Sequence, residues 1–318
     1  MKETTNILEM DKLSPAQFRN LDRSRTLVVI PFAPIEFHGD HLPLGTDIIF
    51  ARDAFRFVGK RFTAANPDWT FLFLPVIPLG ADTVPHGGSL WVDKTIIRDV
   101  AEQMVEKLIG YGFRYISLFT GHGGYGQVVA LEEVSRKMRA KHKKKNVMVF
   151  APLTYLLQRT ASKEFQDLLN SHLPEPLNEE DMRQMTFESH GGRWETSYTM
   201  VAAPELMDDT YKTAASHEPA PHPLIGGILD TLAAVLPGST EDEKKFGVRM
   251  LGAAMAWFFG GAKHGYLGHP ERASLEFGIA VRECISEFFL DLLNEALLND
   301  KLPKGGDELY IALRLLAR

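Results

Sequence analysis

Cysteine is almost absent from this sequence: Cys284 is the single thiol in 318 residues. It cannot pair within the chain, and its neighbours Val281, Ile285 and Phe288 place it in a core. A fold without disulfides fits a reducing compartment, and a cytoplasmic location is the expectation. A chain of ~300 residues buries about three quarters of its unfolded surface, so no covalent staple is needed. Long apolar runs are missing too. No stretch approaches the ~18 apolar residues that span a bilayer. The most apolar helix candidate, Val248 to Ala262, is short, Gly-rich and expected to be buried. The N-terminus, MKETTNILEMDKLS, lacks the apolar segment of a secretion signal. An excess of positive charge is absent as well. The net charge of −6 argues against a nucleic-acid or membrane-surface partner. The basic cluster from Arg136 to Lys145 reads as the solvated end of a helix, where cations interact favourably with the dipole.

What is present is an alternation of two periodicities. Strands are expected at Leu27 to Phe32, Phe71 to Ile77, Arg114 to Thr120 and Asn146 to Pro152. Between them run helical patterns: Ser14 to Leu21, Ile48 to Gly59, Thr95 to Ile109 and Gln127 to Ala140. Such alternation predicts βαβ units, a parallel sheet and helices on both faces. The C-terminal third reads as helical, with one broad apolar face over Arg272 to Leu298. Ser171 to Met185, rich in carboxylates and prolines, reads as an excursion, and His217 to Pro223 as a second irregular stretch. No low-complexity linker divides the chain, so 1–318 is expected to form one domain.

Three loops concentrate the chemistry. The first follows the first strand and brings Glu36, His38, Asp40, His41 and Asp47 among Gly39, Pro43 and Gly45. Carboxylates and imidazoles at the C-terminal end of a strand suit a divalent-metal site in an open α/β sheet. The second is Thr120-Gly121-His122-Gly123-Gly124, directly after the third strand. If the two strands are neighbours, Glu36, His38, Asp47 and His122 converge, and Gly121, Gly123 and Gly124 allow close approach and left-handed backbone angles. The third is Glu188 to Met200, with His190 before a Gly pair and Glu195 in the first turn of a helix. Glu195 also suits a helix N-terminus electrostatically, and Trp194 suits packing.

Together these blocks resemble the creatininase (creatinine amidohydrolase) family. E-F-H-G-D-H-L-P-L-G-T-D, T-G-H-G-G, S-H-G-G-R-W-E-T-S and a late G-Y-L-G-H-P-E-R-A carry the likeness, from about Leu27 to Gly278. The resemblance implies a three-layer α/β/α sandwich with a mostly parallel central sheet. It also implies two divalent ions per chain, zinc foremost with manganese or iron as alternatives, and a homo-oligomer, often a hexamer. Carried over, Glu36 and His122 hold one ion, His38 the other, and Asp47 bridges. His190 matches the family's catalytic histidine. Creatinine-hydrolysing members use a further Glu two positions after the second-block histidine, where this chain has Gly124, and Glu195 is its replacement.

Other departures bear on substrate. Phe37, Asp40 and Tyr125 stand where the family has Gln, Pro and Asn, and His86-Gly87-Gly88-Ser89 is what remains of a longer family segment. No tryptophan occurs from Arg183 to Ser189. These differences point away from creatinine itself. Asp40, His41, His86, Gly123, Gly124, Tyr125 and Trp194 are therefore candidates for contacts with the substrate or the ligands. The expected activity is metal-dependent hydrolysis of a small cyclic amide, formamide or related non-peptide C–N bond. Alternatives are trimming of a partner peptide and a non-catalytic metal-binding scaffold. A phosphoesterase is disfavoured because Arg193 is the one cation inside the three blocks.

Overall fold

Thr26–Phe32 (β2) is a strand with every residue buried. Its β-branched side chains suit a pleated surface that is covered on both faces. The computed structural model describes residues 6–160, 162–185, 188, 190–218, 264–302 and 307–316. Within them β2 is the centre of a five-stranded sheet ordered β1-β3-β2-β4-β5. The other strands are Ile7–Glu9 (β1), Thr70–Phe73 (β3), Tyr115–Thr120 (β4) and Met148–Phe150 (β5). Every pairing is parallel, and Val28 lies between Leu72 and Ile116.

The helices are Pro15–Arg19 (α1), Thr46–Ala65 (α2), Lys94–Gly110 (α3), Tyr125–Lys141 (α4), Leu153–Thr160 (α5) and Lys163–His172 (α6). They continue with Glu179–Gln184 (α7), Arg193–Ala202 (α8), Leu275–Leu293 (α9) and Asp307–Leu316 (α10). The period of two along each strand sorts side chains into two cores. Leu27, Val29, Phe71, Phe119 and Phe150 meet Phe55 of α2, Phe165 of α6, Tyr198 of α8 and Phe289 of α9. Val28, Ile30, Leu72, Leu118 and Val149 meet Ile97 and Val105 of α3 and Val134 and Met138 of α4. The result is the expected three-layer α/β/α arrangement around a parallel sheet.

The connection from β2 through α2 places β3 on one side of β2. The next, through α3, crosses to the other side before β4. The C-terminal ends of β2 and β4 therefore flank a topological switch point, where such sheets open a crevice for ligands.

Several expectations need adjustment. The second strand ends at Phe73 because Pro75 has no N–H to donate, and pairing resumes only as a bridge between Phe32 and Ile77. β1 was not anticipated; its three residues are too few to show a period. The last helical pattern splits. α9 begins after Ser274, whose hydroxyl accepts from Phe277 N–H, and it ends in a π-helical turn over Asn294–Leu298. Residues 171–185 carry α7, including the buried Asp181. The basic cluster ends α4, where Lys137 and Lys141 pair with Glu102 and Glu106 of α3. Cys284 is buried, as expected. Val248 to Ala262, and His217 to Pro223 beyond Glu218, lie outside the described residues. Among the described residues no helix is long and apolar enough to cross a membrane.

Candidate metal centre

Three elements deliver four buried ligand groups to the switch point. Glu36 and His38 lie in the segment leaving β2, Asp47 in the first turn of α2, and His122 in the turn between β4 and α4. Glu36 Oε2 lies 2.8 Å from His122 Nδ1, and Asp47 Oδ2 lies 3.5 Å from the same nitrogen. The other Asp47 oxygen, Oδ1, lies 3.5 Å from His38 Nε2. Glu195, from the first turn of α8, brings Oε2 to 3.6 Å from His38 Nε2. Two potential ligand groups result, Glu36–Asp47–His122 and His38–Asp47–Glu195, each with its atoms within 4.8 Å of one another. Asp47 belongs to both. Glu36 and His38 also form such a group with His190.

Ring orientation follows from the backbone. His122 Nε2–H donates to the Ala81 carbonyl at 2.8 Å, and His38 Nδ1–H donates to the Glu36 carbonyl at 3.0 Å. Each ring thus turns its other nitrogen toward the carboxylates, the tautomer a metal ligand needs. Glu36 Oε2, His38 Nε2 and Asp47 Oδ2 are buried without a hydrogen bond. Buried polar atoms of this kind carry a desolvation cost unless something pairs with them. A nitrogen and oxygen donor set of this composition fits zinc or a similar divalent ion.

The electrostatics point the same way. Burial opposes a charge on His38, but Asp47, Glu195 and Glu36 outweigh it and raise its pKa to about 10. His122 moves well above the usual imidazole range, as Glu36 and Asp47 overcome its burial. Asp47 moves well below the usual carboxylate range despite burial, held there by the two imidazoles. The cluster stabilises positive charge, whether borne by protons or by cations.

His190 lies before α8 with its ring stacked on His38, centroids 3.9 Å apart, and Nε2–H donating to the Phe37 carbonyl at 2.9 Å. Burial, then the charge on His38, lowers its pKa to about 4. The other candidates lie further out. Asp40 is exposed, and His41 donates through Nε2 to the Gly191 carbonyl at 2.7 Å. The partners of the His38 and His122 rings are therefore backbone carbonyls, rather than the Asp40 or His41 side chains expected from sequence. His86 stacks on Phe37 at 4.9 Å. Trp194 stacks on Phe165 at 5.2 Å and donates to Met185 Sδ at 3.0 Å. Tyr125 packs on Val128, Val129, Leu153, Leu309 and Leu313, and burial beside Asp82 pushes its hydroxyl up to about 12.

The glycines act through space more than through angle. None of Gly121, Gly123 and Gly124 has a positive φ; in these blocks Gly39, Gly191, Gly265 and Gly268 do. A Cβ at Gly124 would fall on the Ala81 carbonyl and on His122 Nε2, whereas one at Gly123 would meet open space. A side chain at 124 and the observed His122 ring position exclude each other.

Sequence reasoning missed three supports. Gln127, fully buried at the start of α4, accepts from Ala81 N–H at 3.0 Å and donates to Thr120 Oγ1 at 2.7 Å. It thereby anchors the amide side of Ala81, the residue whose carbonyl orients His122. Val84 N–H donates to Glu36 Oε1 at 2.6 Å. Glu188 is largely buried behind Gly192, and burial lifts its pKa to about 7 against the N–H groups that lower it. A polar residue directly before the apolar run Val128 to Leu131 at the start of α4 was the available signal for Gln127. The backbone partners leave no trace in side-chain identity.

Comparison with solved structures gives the fold an independent footing. A Bacteroides fragilis NCTC 9343 protein named as a creatinine amidohydrolase superimposes with a TM-score of 0.63 at 17% identity, covering 91% of this chain and 96% of that one. A creatininase mutant of Zn-Zn type gives 0.61 at 17% identity, and a creatininase Mn structure 0.59 at 18%; both cover 91% of this chain and 98% of theirs. Among curated proteins none matches the sequence. The family model described as creatinine amidohydrolase matches residues 11–293, most of the chain, and the protein belongs to the creatininase family.

Proposed function

We propose that this protein is a dinuclear metal-dependent amidohydrolase acting on a small cyclic amide, formamide or related non-peptide C–N bond. The observation that carries this reading is Asp47, whose two oxygens face two different ligand groups. Glu36 and His122 complete one cation position, and His38 and Glu195 the other. A carboxylate shared by the two groups would hold both ions at once. Zinc is the favoured ion, with manganese or iron as alternatives, because relatives of Zn-Zn and Mn type share the fold and the donors are imidazole and carboxylate.

Bound divalent ions would polarise the amide carbonyl and acidify a water near neutral pH. The chain's own groups do the rest. His190 is neutral at pH 7, so it accepts a proton from the attacking water and returns it to the departing nitrogen, without which an amide cannot expel its amine. Its Nε2–H bond to Phe37 fixes the ring against His38. Glu195, with a side chain 29% exposed, marks the open side by which a small molecule enters. In this reading 1–318 works as one unit in the cytoplasm, as a homo-oligomer, hexameric by resemblance, with no nucleic-acid or membrane partner.

Reconstitution with Zn²⁺ and Mn²⁺ followed by metal analysis tests the centre, and a panel of lactams and formamides tests the chemistry. Two ions per chain and turnover of a panel member are expected. Cleavage confined to peptides would move the assignment to a peptidase, and cleavage confined to phosphoesters to a phosphoesterase. Fewer than two ions with no turnover would leave a scaffold.

A further inference from the structure

The late segment Gly265 to Ala273 supplies no ligand to the centre, yet it braces the turn that carries His190 and Glu195. Leu267 N–H donates to the His190 carbonyl at 2.7 Å, and Gly268 exchanges both backbone hydrogen bonds with His217 at 2.9 Å. One side chain joins this segment to the start of α8. Glu188 accepts from His269 N–H through Oε1 at 3.0 Å and from Arg193 N–H through Oε2. Arg193 is the first residue of α8. Gly192 and Gly268 both face that carboxyl, and a Cβ at either would fall on Glu188 Oε2. The missing side chains leave the volume the carboxyl fills.

The same turn presents Glu195. Gly191 N–H donates to Glu195 Oε2 at 2.6 Å, and that oxygen is the one directed at His38. Residues 191–193 are thus gripped at both ends, by Glu195 on the Gly191 amide and by Glu188 on the Arg193 amide. The Glu36–Asp47–His122 group has separate supports in Val84, Ala81 and Gln127.

We infer that Glu188 is a positioning residue: by clamping the first amide of α8 to the bridged segment Leu267–His269, it sets where Glu195 presents its carboxylate and hence the affinity of the His38–Asp47–Glu195 cation position. The inference rests on the dinuclear reading above. Glu188 acts through Glu195 and touches neither substrate nor ion.

The test is calorimetric titration of the metal-free full chain with Zn²⁺. The wild type is expected to show two binding steps, and Glu195→Gln identifies the step that belongs to α8. Glu188→Gln keeps the volume but puts an amide NH₂ where an acceptor stood. It should weaken that same step about 10–100-fold, the usual range for a support behind a ligand, and leave the other step unchanged. Both steps unchanged, or both weakened alike, would overturn the inference while leaving the dinuclear reading intact. A wild type that takes up no Zn²⁺ would defeat the dinuclear reading and the inference with it. Where Glu188→Gln does not fold, Glu188→Asp keeps the charge one methylene short and should weaken the same step to a lesser degree. Amide exchange in the metal-free wild type is a check free of substitution. Slow exchange at Arg193 and His269 supports the clamp, and exchange as fast as in exposed amides rejects it.

Discussion

The two halves of the centre are held by different means. Glu36, His38, Asp47 and His122 stand at strand ends and a helix start, are buried, and have their rings fixed by backbone carbonyls. His190 and Glu195 come from a turn outside the sheet, held by a single backbone bridge to Leu267 and by carboxylates. The first half inherits its geometry from the sheet, whose parallel pairing leaves little freedom. The second half is only partly buried and depends on contacts between segments about 80 residues apart, such as Glu188 with His269. In the proposed dinuclear reading that division would give a fixed cation position and an adjustable one on the side of substrate entry.

Asp47 is where the halves join, and Asp47→Ala should have the largest effect. Both ions should leave and turnover should fall on the order of a thousandfold or more, since several kcal/mol of charge stabilisation go with them. Metal analysis beside kcat decides it; a variant that retains both ions would show that the halves do not share this carboxylate. His190→Ala belongs to the second half alone. It should keep both ions and lose about 10²–10⁴-fold in kcat, the usual contribution of a proton-transfer group. Normal rates would remove His190 from the chemistry.

Gln127→Leu mirrors Glu188→Gln on the other side. It releases the Ala81 N–H, loosening the residue whose carbonyl steadies His122, and should weaken only the Glu36–Asp47–His122 step, about 10–100-fold in Zn²⁺ affinity. An effect on both steps would blur the distinction between halves. The smallest effect is a proton count. With a pKa of about 10, His38 is protonated at pH 7 in the metal-free chain, and His122 is raised as well. A cation must displace those protons, so uptake at pH 7 should release them and affinity should rise with pH. Titrations in buffers of different ionisation heat measure the release; none at all would show that the imidazoles are already neutral.

Much of the fold was legible because the strands obey simple rules. LVVIPF and YISLFT are short, apolar and followed by polar glycine-rich turns, so their parallel pairing and the convergence of Glu36, Asp47 and His122 could be anticipated. β1 could not, because three residues of mixed polarity carry no periodicity. The geometry between the ligands was also hidden. Ala81 and Val84 act through a carbonyl and an N–H, which every residue but proline possesses in full, and Glu188 stands in the third block with nothing in its identity to mark the backbone amides it holds. Of the two reasons sequence offers for these glycines, close approach holds at Gly124, where a neighbouring carbonyl leaves no room for a side chain, and a left-handed angle does not, because its φ is ordinary.

That crowding at Gly124 has a consequence for redesign. A glutamate introduced there would dislodge the imidazole it was meant to assist, because the Ala81 carbonyl that steadies His122 fills the space. In the proposed dinuclear reading α8 supplies the carboxylate through Glu195, and a single change at Gly124 would disturb His122 before it could supply another. A side chain at 124 would fit only if the Ala81 carbonyl moved with it, so position 124 and the 80–84 loop would have to change together.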